Sequence, residues 1–164
     1  MNTPHLHEDP SRTTPLGMAR YATEFMEAAL AADDKLGTKS GHEIVAPVPV
    51  MFLVGHAVEL ALKSYLLARD VGLREIRKDY GHGLRRSLRK AKELGLTALV
   101  KLSEEDHHAL FLLDDLYSSK QLQYIVTGQK SFPAFGSLER VALKLIHAVS
   151  AEVGWHTRNL PHVP

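Results

Sequence analysis

The chain has 164 residues and a formal net charge of +1, with 45% apolar residues, enough length and apolar content for one core and too little length for two domains. It contains no cysteine, which excludes disulfides, thiolate metal sites and cysteine nucleophiles and agrees with a reducing cytoplasm. The small net charge hides an asymmetry: Arg74 to Lys92 is rich in Arg and Lys, whereas Glu104 to Asp106 and Asp114-Asp115 are acidic.

Residues 1–15 lack periodicity and read as a mobile N-terminal arm. They also lack the apolar stretch of a signal peptide. Met18, Ala22, Phe25, Ala29, Ala32 and Leu36 then recur at helical steps, predicting a first amphipathic helix that Gly37 ends in a left-handed cap. Pro47 and Pro49 suit the first turn of a second helix running to about Val71-Gly72. That helix is apolar nearly all round and is expected at the centre of the fold. The longest apolar run, Ile44 to Val54, contains two prolines and falls short of the ~20 residues a membrane span needs.

A basic connection, Leu73 to Tyr80, leads to the turn Gly81-His82-Gly83, and Leu84, Leu88 and Ala91 define a third helix ending at Gly95. Ser103 followed by Glu104, Glu105 and Asp106 is an N-cap with acids where the helix dipole favours them. The fourth helix buries Leu110, Leu113, Leu116 and Tyr117 and is expected to continue, kinked, to Ile125. Phe132 and Phe135 lie in the next loop and are expected to tuck against the bundle. A last helix starts at Ser137 with Leu138, Val141, Ala142, Leu145 and Val149 inward, and residues 155–164 form a short tail. No strand-like alternation of useful length is present. The expected fold is all-α, an up-and-down bundle of about five helices spanning residues 16–154.

The chemistry-bearing residues fall into four sets. His56, Glu59 and Lys63 lie on one strip of the second helix, because a step of about 100° per residue puts Lys63 about 20° from His56. Glu59 and Lys63 form an acid-first i,i+4 pair, so each charge can be met locally in a core or an interface. His82 can cap backbone groups or hydrogen-bond Glu59, and the four residues together read as a buried polar network. Arg85, Arg86, Arg89, Lys90 and Lys92, with Arg74, Arg77 and Lys78 nearby, form a basic face able to contact phosphates without reading sequence. His107-His108 beside Glu104 and Asp106, and His5, His7, Glu8 and Asp9, supply too few convergent ligands for a metal centre. No metal or cofactor is expected, and hydrolase triads, phosphate-cradling loops and dinucleotide glycine motifs are missing.

The run His56-Ala57-Val58-Glu59-Leu60-Ala61-Leu62-Lys63-Ser64-Tyr65-Leu66, followed by Tyr80-Gly81-His82-Gly83-Leu84, resembles the HEPN superfamily, the higher eukaryote and prokaryote nucleotide-binding proteins. Lys120-Gln121-Leu122-Gln123-Tyr124 sits where many relatives carry a basic residue beside a tyrosine. The resemblance spans about Leu16 to Val153 and implies a helical bundle, a homodimer, and an RNA- or nucleotide-associated role. A bacterial toxin-antitoxin, stress or defence system would be in keeping with it, as would a nucleotidyltransferase or other protein antitoxin as partner. Catalytic relatives carry an arginine followed after four to six residues by a histidine, which would cleave RNA without metal across a dimer interface. Three segments approximate that motif. Arg77 to His82 has Lys78 in the polar place but precedes the third helix; Arg140 to His147 lies in the last helix but has Val141 there; Arg158 to His162 is one residue short and holds Pro161. The leading expectation is a module without catalysis, with a ribonuclease or a structural interaction module as alternatives.

Overall fold

The computed structural model describes residues 12–163, so His5, His7, Glu8 and Asp9 and most of the expected N-terminal arm lie outside the described residues. Those described form an all-helical bundle: α1 (Pro15–Leu36), α2 (Val48–Ala68), α3 (Leu73–Glu75), α4 (Leu84–Glu93), α5 (Glu104–Tyr117) and α6 (Phe135–Glu152). Five are the long helices expected from periodicity, and the sixth, α3, lies in the basic connection. There the single turn of α3 runs into a π-helical turn, Ile76–Tyr80, which anchors the segment by burying Ile76.

Thr14 starts α1 by accepting a bond from the Gly17 amide at 3.0 Å. Gly37 ends it with right-handed backbone, φ −69°, rather than the expected left-handed cap. Glycine is favoured there for space: a Cβ would lie 2.7 Å from the Asp33 backbone carbonyl oxygen.

Helix α2 is the core helix, buried on nearly every side, with α1 as its most extensive partner and α4, α5 and α6 closing the rest. Its cover therefore comes from its own chain. By length and composition alone α2 could cross a membrane, and it is the one such helix among the described residues; 67% of that apolar window is buried in the bundle. The sequence expectation of a run too short to span counted only Ile44 to Val54, whereas Glu59 and Lys63 are the sole charges in the whole helix.

Helix α4 begins without a side-chain cap of its own. The Leu84 amide instead donates to Asp114 Oδ1 on α5 at 2.7 Å, joining the two helices at a buried polar contact. Gly95, at φ +99°, turns the chain out of α4, and Tyr65 donates its hydroxyl to the Leu94 carbonyl at 3.0 Å, tying that turn to α2.

Ser103 is the expected N-cap of α5, and Asp106 turns it into a reciprocal capping box. Asp106 is fully buried and also receives Arg140 Nε at 3.2 Å and Lys144 Nζ at 2.8 Å from α6. Burial pushes its carboxyl up, but Lys144, the Ser103 amide and Arg140 together hold it down to about 2. α5 stops at Tyr117 instead of continuing to Ile125, because Lys120 turns the chain at φ +63°. α6 starts two residues before Ser137, with Phe135 packed at the core edge and Phe132 left exposed. After α6 the chain folds back: Leu160 is buried, and Trp155 Nε1 donates to Thr23 Oγ1 at 3.2 Å.

Candidate functional site

The structure brings His56, Glu59, Lys63 and His82 together and adds Tyr117. Glu59 sits at the hub, 3% exposed. Its Oε1 accepts from Lys63 Nζ at 2.5 Å, while Oε2 accepts from Tyr117 Oη at 2.6 Å and from His82 Nδ1 at 3.0 Å. A carboxylate has no proton to give, so both partners of Oε2 must donate. With its proton committed to Glu59, the Tyr117 oxygen is left as the acceptor for His56 Nδ1 at 3.0 Å. Every proton in the chain His56 to Tyr117 to Glu59 is thereby fixed, and both histidines carry hydrogen on Nδ1.

The charges follow from the same contacts. Burial raises the Glu59 carboxyl, but hydrogen bonds from Lys63, Tyr117 and His82 more than reverse this, and the group stays ionised. Burial and the adjacent carboxylate push the Tyr117 phenol up, so it remains a donor. Burial pulls His56 down; Glu59 opposes this and Lys63 and His82 reinforce it. Phe25 meets the His56 ring edge-on at 4.4 Å between centroids, which supplies much of that dry environment.

Tyr117 was legible in the sequence only as a core residue of α5. The signal for its role is Gly55, one turn before Glu59 on α2. A Cβ there would lie 2.5 Å from Tyr117 Cδ2, so the tyrosine ring reaches Glu59 over a glycine.

His82 faces outward. Its side chain is 54% exposed, Nδ1 is held by Glu59, and Nε2 has no partner among the described residues. Arg86 lies beside it: a Cβ on Gly83 would sit 2.7 Å from Arg86 Nε, placing the guanidinium against the glycine that follows His82. Arg77 is exposed on the π-helical turn and makes no ion pair or hydrogen bond among the described residues. Arg86, not Arg77, is therefore the arginine packed against the His82 turn.

Arg140 and His147 are each committed elsewhere. Arg140 bonds Glu105 at 3.0 Å and Asp106, whereas His147 contacts Thr157 Oγ1 at 2.6 Å and donates Nε2–H to the Pro161 carbonyl at 2.7 Å. Seven residues of helix also separate them by about 10 Å along the axis.

The basic face divides in two. Arg85 turns toward α5, donating to the Phe111 carbonyl at 2.8 Å and Asp115 at 2.7 Å with its guanidinium over the Phe111 ring. Lys92 also turns toward α5 and donates to His107 Nε2. Arg86, Arg89 and Lys90 point the other way and line, with Tyr80 and Glu93, a surface cleft of about 240 Å³. Arg86 and Arg89, and Arg74, Arg77 and Lys78 before them, are exposed and without anionic partners among the described residues. Lys90 reaches Glu93 at 3.8 Å.

His107 is occupied by Lys92 and by the Ser103 carbonyl, to which its Nδ1–H donates at 2.7 Å. Among the described residues no group of three or more His, Asp or Glu is arranged to hold a metal ion. No family model, curated protein or solved structure matches the chain.

Proposed function

We propose that this chain is a HEPN-like, RNA- or nucleotide-associated module of the cytoplasm, acting as a homodimer. The observation that carries the reading is a set of exposed cations without anionic partners among the described residues: Arg86 and Arg89 at the Tyr80 cleft, and Arg74, Arg77 and Lys78 on the segment that leads to it. Exposed cations with no committed carboxylate can each take a phosphate oxygen, and a phosphate backbone meets them at several points at once. Tyr80 offers one aromatic face beside them for a base. The Glu59 network sets the platform by fixing the His82 turn against α2. Exposed Tyr124, Ile125 and Val126 after α5 support self-association. The resemblance extends the reading to a toxin-antitoxin, stress or defence setting, with a protein antitoxin or nucleotidyltransferase as second partner.

Binding of a fluorescently labelled single-stranded RNA, followed by anisotropy from low to moderate salt, tests it. Affinity should fall steeply with salt, and Arg86→Glu with Arg89→Glu should remove most of it. Salt-independent binding, or a double variant that binds as the parent does, overturns the reading.

One observation favours a catalytic version. His82 presents an Nε2 without a partner among the described residues, its Nδ1 oriented by a buried carboxylate, and Arg86 packs against the next residue, Gly83, an arrangement suited to moving a proton from a ribose hydroxyl while the guanidinium holds the phosphate. Cleavage of RNA in chelator, lost in His82→Ala with helicity and mass unchanged, is the result this version expects. Cleavage that survives His82→Ala removes it.

A further inference from the structure

A second concave site lies away from His82, where the short 3₁₀ turn Leu96–Ala98 meets the first turns of α5. It encloses about 300 Å³ and is lined by Lys92, Leu96, Val100, Lys101, Leu102 and His107. The turn is forced by Gly95 at φ +99°, which buries Leu96 and leaves Val100 and Leu102 half-buried at the core edge. The floor is therefore aliphatic, and the cations stand at its rim.

The decisive contact is the one Lys92 makes. Its only described partner is His107 Nε2, which accepts from it while His107 Nδ1–H donates to the Ser103 carbonyl. Lys92 thus reaches an apolar cleft and meets no carboxylate there among the described residues. Lys101 adds a second, exposed ammonium that also has no partner among the described residues. Elsewhere the ammonium groups packed between helices are met by carboxylates: Lys63 by Glu59 and Lys144 by Asp106. Lys92 departs from that pattern at a place with room for a ligand.

The geometry points to a binding site for a small amphiphilic carboxylate, its anionic head between Lys92 and Lys101 and its hydrocarbon part on Leu96, Val100 and Leu102. A volume near the lower end of the range for ligand pockets limits the hydrocarbon to a medium-length chain or a single ring system. A carboxylate is the smallest anionic head that the Lys92 and Lys101 ammonium groups could hold as point charges, and it leaves most of the roughly 300 Å³ to the hydrocarbon. The site is separate from the Arg86 and Arg89 cleft, since Lys92 turns toward α5, and it stands independently of RNA binding.

Octanoate titrated into the ¹⁵N-labelled full chain, followed by amide shifts, is the test, with octanol and octylamine as matched probes. Saturable shifts confined to residues 92–107 are expected, with octanoate at least tenfold tighter than octanol and octylamine weaker still. Lys92→Met should narrow the gap between octanoate and octanol, and adding Lys101→Met should close it. The inference is overturned if octanoate does not saturate, if octanol binds equally well, or if the shifts centre on Tyr80 and Arg89. The comparison of the three probes on the unmodified chain decides the matter even if Lys92→Met fails to fold.

Discussion

Gly55→Ala offers a test of sign. In a helix interior, alanine is favoured over glycine by about 1 kcal/mol, so propensity alone makes this substitution stabilising. The structure reverses the expectation. The new methyl would stand 2.5 Å from Tyr117 Cδ2 and 3.0 Å from Cγ and Cε2, contacts with a ring on a buried helix face rather than with the end of a flexible chain. Overpacking of this kind costs about 1–3 kcal/mol. Displacing the ring also breaks the 2.6 Å bond from Tyr117 Oη to Glu59. A hydrogen bond to a charged group is worth about 1.5–3 kcal/mol. Net of the propensity gain, the variant should lose about 1.5–5 kcal/mol, or about 3–20 °C in Tm for a domain of this size. Urea unfolding followed by far-ultraviolet circular dichroism measures it, with an unchanged slope certifying that only stability moved. Gly136→Ala is the control, because its Cβ meets nothing within 4 Å. In a Tyr117→Phe background the cost of Gly55→Ala should shrink by the hydrogen-bond share, a coupling expected of residues in contact. A Gly55→Ala protein as stable as the parent or more so would refute the reasoning about this network.

Three further outcomes follow from the same contacts. Acid should unfold the protein in two overlapping stages: the folded pKa of His56 is depressed, so its share of stability is lost as pH falls below the ordinary histidine value near 6.5. The depressed carboxyls of Glu59 and Asp106 then lose theirs as pH falls from about 4 toward 2, which a pH series of thermal melts will resolve. Arg85→Ala and Arg86→Ala should separate cleanly, the first lowering Tm through lost contacts to Phe111 and Asp115, the second leaving Tm within about 1–2 °C while weakening RNA retention on a salt gradient. His147→Ala should leave RNA affinity unchanged and instead release the segment after α6, seen as faster amide exchange around Thr157 to Leu160.

The helices were legible because their cause is local. A period near four, the prolines at the start of α2 and the Ser103 cap act within one or two turns, and the three polar residues of α2 could be placed on a strip by arithmetic alone. Tyr117 was not, because a tyrosine on an apolar face reads as core until one knows that its hydroxyl meets a carboxylate 58 residues away in the chain. Asp114 was missed for the same reason: its partner is the backbone amide of Leu84, and backbone amides leave no mark in a sequence. The five cations of α4 could be seen as basic but not sorted, since what divides Arg85 and Lys92 from Arg86 and Arg89 is the position of α5. The stop at Tyr117 depended on one left-handed lysine, a conformation no pattern of side-chain polarity announces.

The burial of α2 bears on how the chain is made. As it leaves the ribosome, Val48–Ala68 is a long greasy segment that insertion machinery and aggregation would both recognise. Yet α1, its most extensive partner, has already emerged. The order of the helices gives the nascent α2 a companion before it meets anything else, so exchanging α1 and α2 in the chain would leave the finished contacts within reach but expose their most hazardous element first.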